Sequence, residues 1–173
     1  MIERTAIRDG MQSWALYSDC ARYRYGLRRV WDADNPPVLF VMLNPSTADE
    51  HRNDPTIARC EARARRLGFG GVEIANLFAF RATRPADLRR AADPVGPEND
   101  TLLRAWSRDA GVTIAAWGVH GTYQGRDRAV AGILGGDVRH LGLTKAGHPR
   151  HPLYVRNDAP LLPFTFQDEA ENA

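Results

Sequence analysis

Val38-Leu39-Phe40-Val41-Met42-Leu43-Asn44-Pro45-Ser46-Thr47-Ala48-Asp49 decides the fold class. Six apolar residues run without a polar break into Asn-Pro-Ser-Thr. An unbroken apolar run bounded by turn formers has the pattern of a strand buried on both faces, the central strand of a parallel sheet. Pro36 and Pro37 keep it from extending backwards, and Asn44-Pro45 ends it. Open α/β sheets bind ligands just outside the carboxyl ends of their strands. The polar cluster at 44–49 therefore falls where chemistry is expected.

Downstream, Asp54 in the N-cap place and Pro55 at the first helical position start a helix. Ile57, Cys60, Ala64 and Leu67 keep helical spacing, and Gly68 closes it. Val72 to Phe78 then completes a strand–helix–strand unit. A short helix after Pro85, a helix over 99–109, a third strand over 112–118, a helix over 121–134 and a fourth strand over 138–141 follow. Residues 142–158 form a polar loop, and Pro160 to Phe166 a last apolar segment before an acidic tail. Upstream, Tyr and Arg alternate through Arg22-Tyr23-Arg24-Tyr25, a period-two pattern read as a hairpin at the sheet edge. Its arginines either touch phosphate or are the protective charge of a solvated edge strand. Residues 1–12 are polar and read as loosely held. The expected fold is a three-layer α/β/α domain with a central, mainly parallel four-stranded sheet and an N-terminal β-hairpin. One domain spans 1–173, with its core at about 14–166 and flexible ends.

Composition bounds the function. A chain of 173 residues, 43% hydrophobic and 25% charged, suits one globular domain. No apolar run approaches a membrane span and no signal peptide is present, so no membrane partner is expected and the cytoplasm is the expected compartment. Cys20 and Cys60 alone exclude a disulfide framework, a four-cysteine zinc site and a four-cysteine iron–sulfur cluster. The formal charge is +2, yet nearly all of the 23 basic residues are Arg, which suits bidentate phosphate contact. By itself this favours nucleic acid weakly.

Three strand ends converge in this reading. The first carries Asn44, Ser46 and Asp49, the second Asn76 with Arg81 beyond it, and the loop after the fourth carries His148 and His151. Asn44 before Pro45 is either a turn former or a site residue. Asp49 is either a loop-stabilising side chain or a general base, and Asp54 is most simply a helix N-cap. Asn76, ending a buried strand, is costly unless hydrogen-bonded. His120 reads as a lining residue, and Lys145 as a phosphate contact or a solvated lysine. His148 and His151 have no third ligand at recognisable spacing, so no metal and no cofactor are expected.

Leu43-Asn-Pro-Ser-Thr-Ala-Asp49, Asn53-Asp-Pro-Thr-Ile-Ala-Arg-Cys60, Ala75-Asn-Leu-Phe-Ala-Phe-Arg-Ala-Thr83, Ala116-Trp-Gly118 and Gly147-His-Pro-Arg-His-Pro-Leu-Tyr154 stand in order along nearly the whole chain. Together they resemble the domain-of-unknown-function family numbered 1643. More distantly, they are similar to the uracil-DNA glycosylase superfamily. That second resemblance implies that Asn44 orients water or lies against the glycosidic bond. Asn76 would read the base edge, and His151 would stabilise charge on the departing base. Tyr154 or Val155 would wedge into the duplex, and Arg81 would fall at an Arg-Pro segment. Pro45, Ser46, Phe78, Trp117, His120, Lys145 and His148 complete the expected substrate-binding set beside the catalytic Asn44, Asp49 and His151. The sequence departs from the superfamily at Met42-Leu43, where a Gly is usual, and at Ala82-Thr83, where two prolines follow the Arg.

The implied activity is a metal-independent DNA glycosylase, acting as a monomer on DNA. It would flip out a deaminated or modified base, such as a glucosylated viral hydroxymethylcytosine, and hydrolyse its N-glycosidic bond. A non-catalytic module that cradles a modified base and a hydrolase of free nucleosides or nucleotides are the alternatives. Salt dependence separates a DNA binder from an enzyme of free nucleosides.

Overall fold

In the computed structural model, which describes residues 1–167, the apolar run is β4 (Pro37–Met42), every residue of it buried after Pro37. α1 (Pro55–Arg66) begins as its cap residues dictate. The Asp54 carboxylate accepts the Ile57 amide at 2.9 Å, with Pro55 behind it, a cap worth about 1 kcal/mol. Ile57, Cys60 and Ala64 are buried against the sheet. β5 (Gly71–Asn76) returns beside β4 in parallel register, Met42 opposite Asn76. Then come α2 (Pro85–Arg90), α3 (Asn99–Asp109) and β6 (Val112–Ala115), which pairs in parallel with the other edge of β4. β7 (Val138–His140) is parallel to β6, and β8 (Leu162–Pro163) antiparallel to β7.

The sheet is larger than expected. β1 (Ile2–Arg8), β2 (Met11–Tyr17) and β3 (Arg24–Val30) form an antiparallel run that joins β5, giving the order β1-β2-β3-β5-β4-β6-β7-β8. This eight-stranded mixed sheet overturns the expected three-layer α/β/α fold around a central four-stranded sheet. Helix is also scarcer than expected. The stretch 121–134 is not one helix: positive φ at Gln124 (53°) and Gly125 (64°) breaks it. What remains is a 3-10 segment (Val119–Gly125), α4 (Arg126–Ala129) and a 3-10 turn (Val130–Gly132).

The N-terminal residues are not loose, because β1 pairs along its length with β2. Asp9 and Gly10 join the two strands with φ of 49° and 76°. This is the left-handed, two-residue Asp-Gly turn that fits the twist of a hairpin. β1 thus becomes the edge, and β3, expected to edge the sheet, is internal between β2 and β5. The acidic tail lies outside the described residues.

Side chains alternate into two cores. Val38, Phe40, Met42, Ile57, Val72, Ile74 and Ile114 fill the face covered by α1. Leu39, Val41, Ala75, Leu102, Leu103, Ala115 and Val130 fill the face covered by α3. Cys20 and Cys60 are both free, and burial pushes the Cys60 thiol pKa well above its ordinary value. Among the described residues no helix is long and apolar enough to cross a membrane.

The approach to β5 leaves no room for a side chain at Gly70. A Cβ there would stand 2.0 Å from the Asp32 carbonyl oxygen and 2.3 Å from that of Asn35. Both are backbone atoms, so neither can swing aside. Gly70→Ala is therefore expected to destabilise the fold by about 1–3 kcal/mol, read as a lowered midpoint in chemical unfolding; an unchanged midpoint would show that the 32–35 turn yields freely.

Candidate functional site

β4 is where the strand order reverses, with β5 on one side and β6 on the other. The crevice outside such a switch point is where ligands bind in open sheets. A cavity of about 520 Å³ opens there, within the ~300–1,000 Å³ range of small-molecule sites. Asn44 and Ser46 line it from the end of β4, Asp54 from the start of α1, Asn76 from the end of β5, and Trp117 and Gly118 from just past β6. His151 and Tyr154 line it from the late loop, and Arg24 from β3.

Backbone contacts bring these segments together. The Gly118 amide donates to the Pro149 carbonyl at 2.8 Å, fastening the histidine loop to the end of β6. Gly118 has φ 74°, a left-handed conformation that uses the freedom of glycine. From α1, Arg59 donates to the Val155 carbonyl, and Arg63 to those of Arg156 and Asn157. Two of the four arginines of α1 thus hold the late loop.

Asn76 is 1% exposed, and neither its Nδ2 nor its Oδ1 has a partner among the described residues. A buried carboxamide with both ends unmet costs on the order of 1–3 kcal/mol per group. Asn44 differs, since its Nδ2 donates to the Ala82 carbonyl at 2.8 Å and to Pro45 at 3.1 Å. With its amino group committed, Oδ1 is left as its acceptor. His151 Nδ1 accepts the Leu153 amide at 3.3 Å. That nitrogen carries no proton, and in the neutral ring the N–H is at Nε2. Burial lowers the His151 pKa from its ordinary 6.5, against the opposing pull of the Asp54 carboxylate.

Of the residues singled out from sequence, Asn44, Ser46, Asn76, Trp117, His120, His151 and Tyr154 line this cavity. The others are elsewhere. Asp49 accepts the His51 and Arg52 amides at 2.8 Å each, which stabilises its own loop and holds its pKa below the usual range despite partial desolvation. Pro45 is buried beneath the loop, its carbonyl taken by Asn44 and the Ala82 amide. Phe78 is a core residue packed on Tyr123. Arg81 donates to the Ala21 carbonyl at 3.2 Å and stacks over Tyr17. Lys145 is exposed away from the cavity. His148 lines a smaller neighbouring pocket that shares Trp117. Val155 is 6% exposed, whereas Tyr154 is 77% exposed and its ring lies 5.8 Å from that of His151.

Arg24, Thr83, Gly118, Thr144 and Arg150 line the cavity without having been expected there. Arg24 carried no distinguishing signal, because a Tyr-Arg alternation looks the same whether the arginines face water or protein. Among the described residues no group of three His, Cys, Asp or Glu is placed to hold a metal ion.

A family model described as "Protein of unknown function (DUF1643)" matches residues 24–153. No curated protein and no solved structure matches the chain. The matched span takes in Arg24, Asn44, Asp54, Asn76, Trp117 and His151, and ends one residue before Tyr154. With well over half of its length inside that match, the chain belongs to the DUF1643 family.

Proposed function

We propose that the cavity receives a nucleobase flipped out of DNA and that the protein hydrolyses its N-glycosidic bond. The observation that carries this reading is Asn76, which lines the cavity with its amide donor and acceptor both unmet among the described residues. A base edge offers the complementary pair. The distant likeness of the strand-end motifs to the uracil-DNA glycosylase superfamily supports the same chemistry. The cavity is roomier than an unmodified pyrimidine needs, which favours an enlarged base, including those that viruses place in their genomes.

Each group then has a task. The free Oδ1 of Asn44 holds a water against the sugar, and Asp54 is the carboxylate at the cavity that can take its proton. As the bond breaks, negative charge builds on the base, and a prepositioned donor stabilises it. His151, neutral and protonated at Nε2, is such a donor. Tyr154, exposed beside it, is placed to fill the gap that the flipped base leaves. Unstacking costs a few kcal/mol, least for a base already weakly paired.

His151→Ala and Asn44→Ala are each expected to lower the rate of base release by roughly 10²–10³-fold without unfolding the protein. The assay is alkali-sensitive nicking on a panel of DNAs carrying uracil, hypoxanthine, hydroxymethylcytosine and glucosylated hydroxymethylcytosine. Nicks on one substrate identify the base. No nicks on any of them, with tight and salt-sensitive binding retained, would make the protein a base-binding module instead. Asn76→Ala should change which base is released more than it weakens DNA binding, and an unaltered substrate profile would remove Asn76 as the reader.

The pH response of His151 has a definite sign. Its folded pKa lies below the 6.5 of the unfolded chain, so its burial stabilises the protein fully above 6.5, and that stability is lost as pH falls through the folded pKa. The imidazole should titrate below 6.5 by NMR, and His151→Gln should flatten part of the fall in melting temperature below that pH. A titration at or above 6.5 would contradict the neutral donor.

A further inference from the structure

Arg24 lines the cavity from β3 and is 2% exposed. Its Nη1 donates to the Ala48 carbonyl, while its Nε is buried without a partner among the described residues. Arg29 and Arg63 also leave their Nε unmet among the described residues, but the other buried arginines each make two or more hydrogen bonds where Arg24 makes one. Arg126 pairs with Asp100 at 2.7 Å and donates to the Leu77 carbonyl. Arg29 reaches Ser13, the Asp49 carbonyl and Asn53. Arg63 holds two carbonyls. Asp54 and Asp49 favour the charge of Arg24 through space, but their carboxylates are engaged by backbone amides and make no ion pair with it among the described residues. Desolvation lowers its pKa to about 10, which still leaves it protonated at neutral pH.

A guanidinium has five donors and no acceptor. A ligand group placed against it must therefore be an acceptor, and an anionic one gains most. Asn76, two-sided and equally unmet, lines the same cavity from the neighbouring strand. A pyrimidine suits this pairing: its O2 lies next to the nitrogen that bears the sugar, and the remaining edge can face an amide.

We propose that Arg24 is a catalytic residue of the base-excising reaction, donating to the O2 of a pyrimidine and holding the negative charge the base carries away. This rests on the glycosylase reading. The electron pair of the C1′–N1 bond leaves with the base and is shared onto O2. The water oxygen bonds to C1′, the Asp54 carboxylate takes the water proton, and the proton passes to the released base. Arg24 stabilises the anion more than the neutral substrate, and that difference accelerates the step.

Barbituric acid, a pyrimidine trione that is an anion at neutral pH, and uracil, which is neutral, test this as free ligands by calorimetric titration. The wild-type protein should bind barbiturate about tenfold or more tightly than uracil. Arg24→Met should abolish that preference, and Arg24→Lys should retain part of it. Equal affinities in the wild type would overturn the proposal even if Arg24→Met fails to fold. Base release at the wild-type rate from a folded Arg24→Met would also overturn it, leaving the glycosylase reading intact. A barbiturate preference in a protein that releases no base would instead keep the anion contact and overturn the reaction. On the DNA that is cut, Arg24→Lys should lower kcat with KM little changed; a change confined to KM would make Arg24 a substrate-binding residue and overturn its place in the bond-breaking step.

Discussion

Two arginines buried in β3 hold the loop after β4 by its backbone. Arg24 donates to the Ala48 carbonyl. Arg29, fully buried, donates to the Asp49 carbonyl, to Asn53 Oδ1 at 3.2 Å and to Ser13 Oγ. The Ser13 hydroxyl in turn reaches the Glu50 carbonyl at 2.7 Å, and Tyr17 the Glu50 carboxylate at 3.1 Å. A loop rich in polar backbone cannot lie against a core unless its carbonyls find donors. A buried guanidinium cannot persist unless acceptors surround it. Each solves the problem of the other, which is why desolvation depresses the Arg29 pKa to about 10 while the side chain stays charged. This clamp acts with the Asn44 and Pro45 contacts to Ala82 and the Asp54 cap to position Ser46 and Asp54 over the end of β4.

The three antiparallel strands therefore do more than extend a sheet. β2 and β3 carry the clamp, and β1 covers the edge that β2 would otherwise expose. The opposite wall of the cavity depends on α1, whose Arg59 and Arg63 hold carbonyls of the late loop, and on the Gly118 amide, which holds Pro149. For the arginines a side chain from a regular element satisfies an irregular segment. Much of the cavity wall is loop, and the side chains that fix it belong to β3 and α1.

Within the cavity the polar groups divide into committed and uncommitted. Asn44 and Asp54 have spent part of their hydrogen-bonding capacity on the scaffold, which orients them. Asn76 and the Nε of Arg24 have not, among the described residues. Uncommitted groups in a low-dielectric pocket interact more strongly with whatever meets them than the same groups would in water. Such a division of labour suits recognition of a flat, polar ring whose charge changes during reaction.

By itself the sequence determined the local elements: the double-sided burial of β4, the Asn-Pro break after it, the Asp54-Pro55 helix start and the parallel return of β5. Those rest on short-range rules of periodicity, capping and proline geometry. It also placed Asn44, Asn76 and His151 at strand ends or loops facing one crevice, because chain order in an alternating fold fixes which ends converge. The hairpin of Asp9-Gly10 was missed and its strand read as loosely held, because the polar β1 lacks the apolar face that usually marks a strand. The tertiary structure alone decided the eight-stranded order, the internal place of β3, and the burial of Arg24 and Arg29. It also decided that Asp49 serves its own loop while Asp54 faces the cavity. Period-two alternation of Tyr and Arg is the same pattern whether a guanidinium meets water or a carbonyl, and the carbonyls that settled the question lie some twenty residues further along the chain.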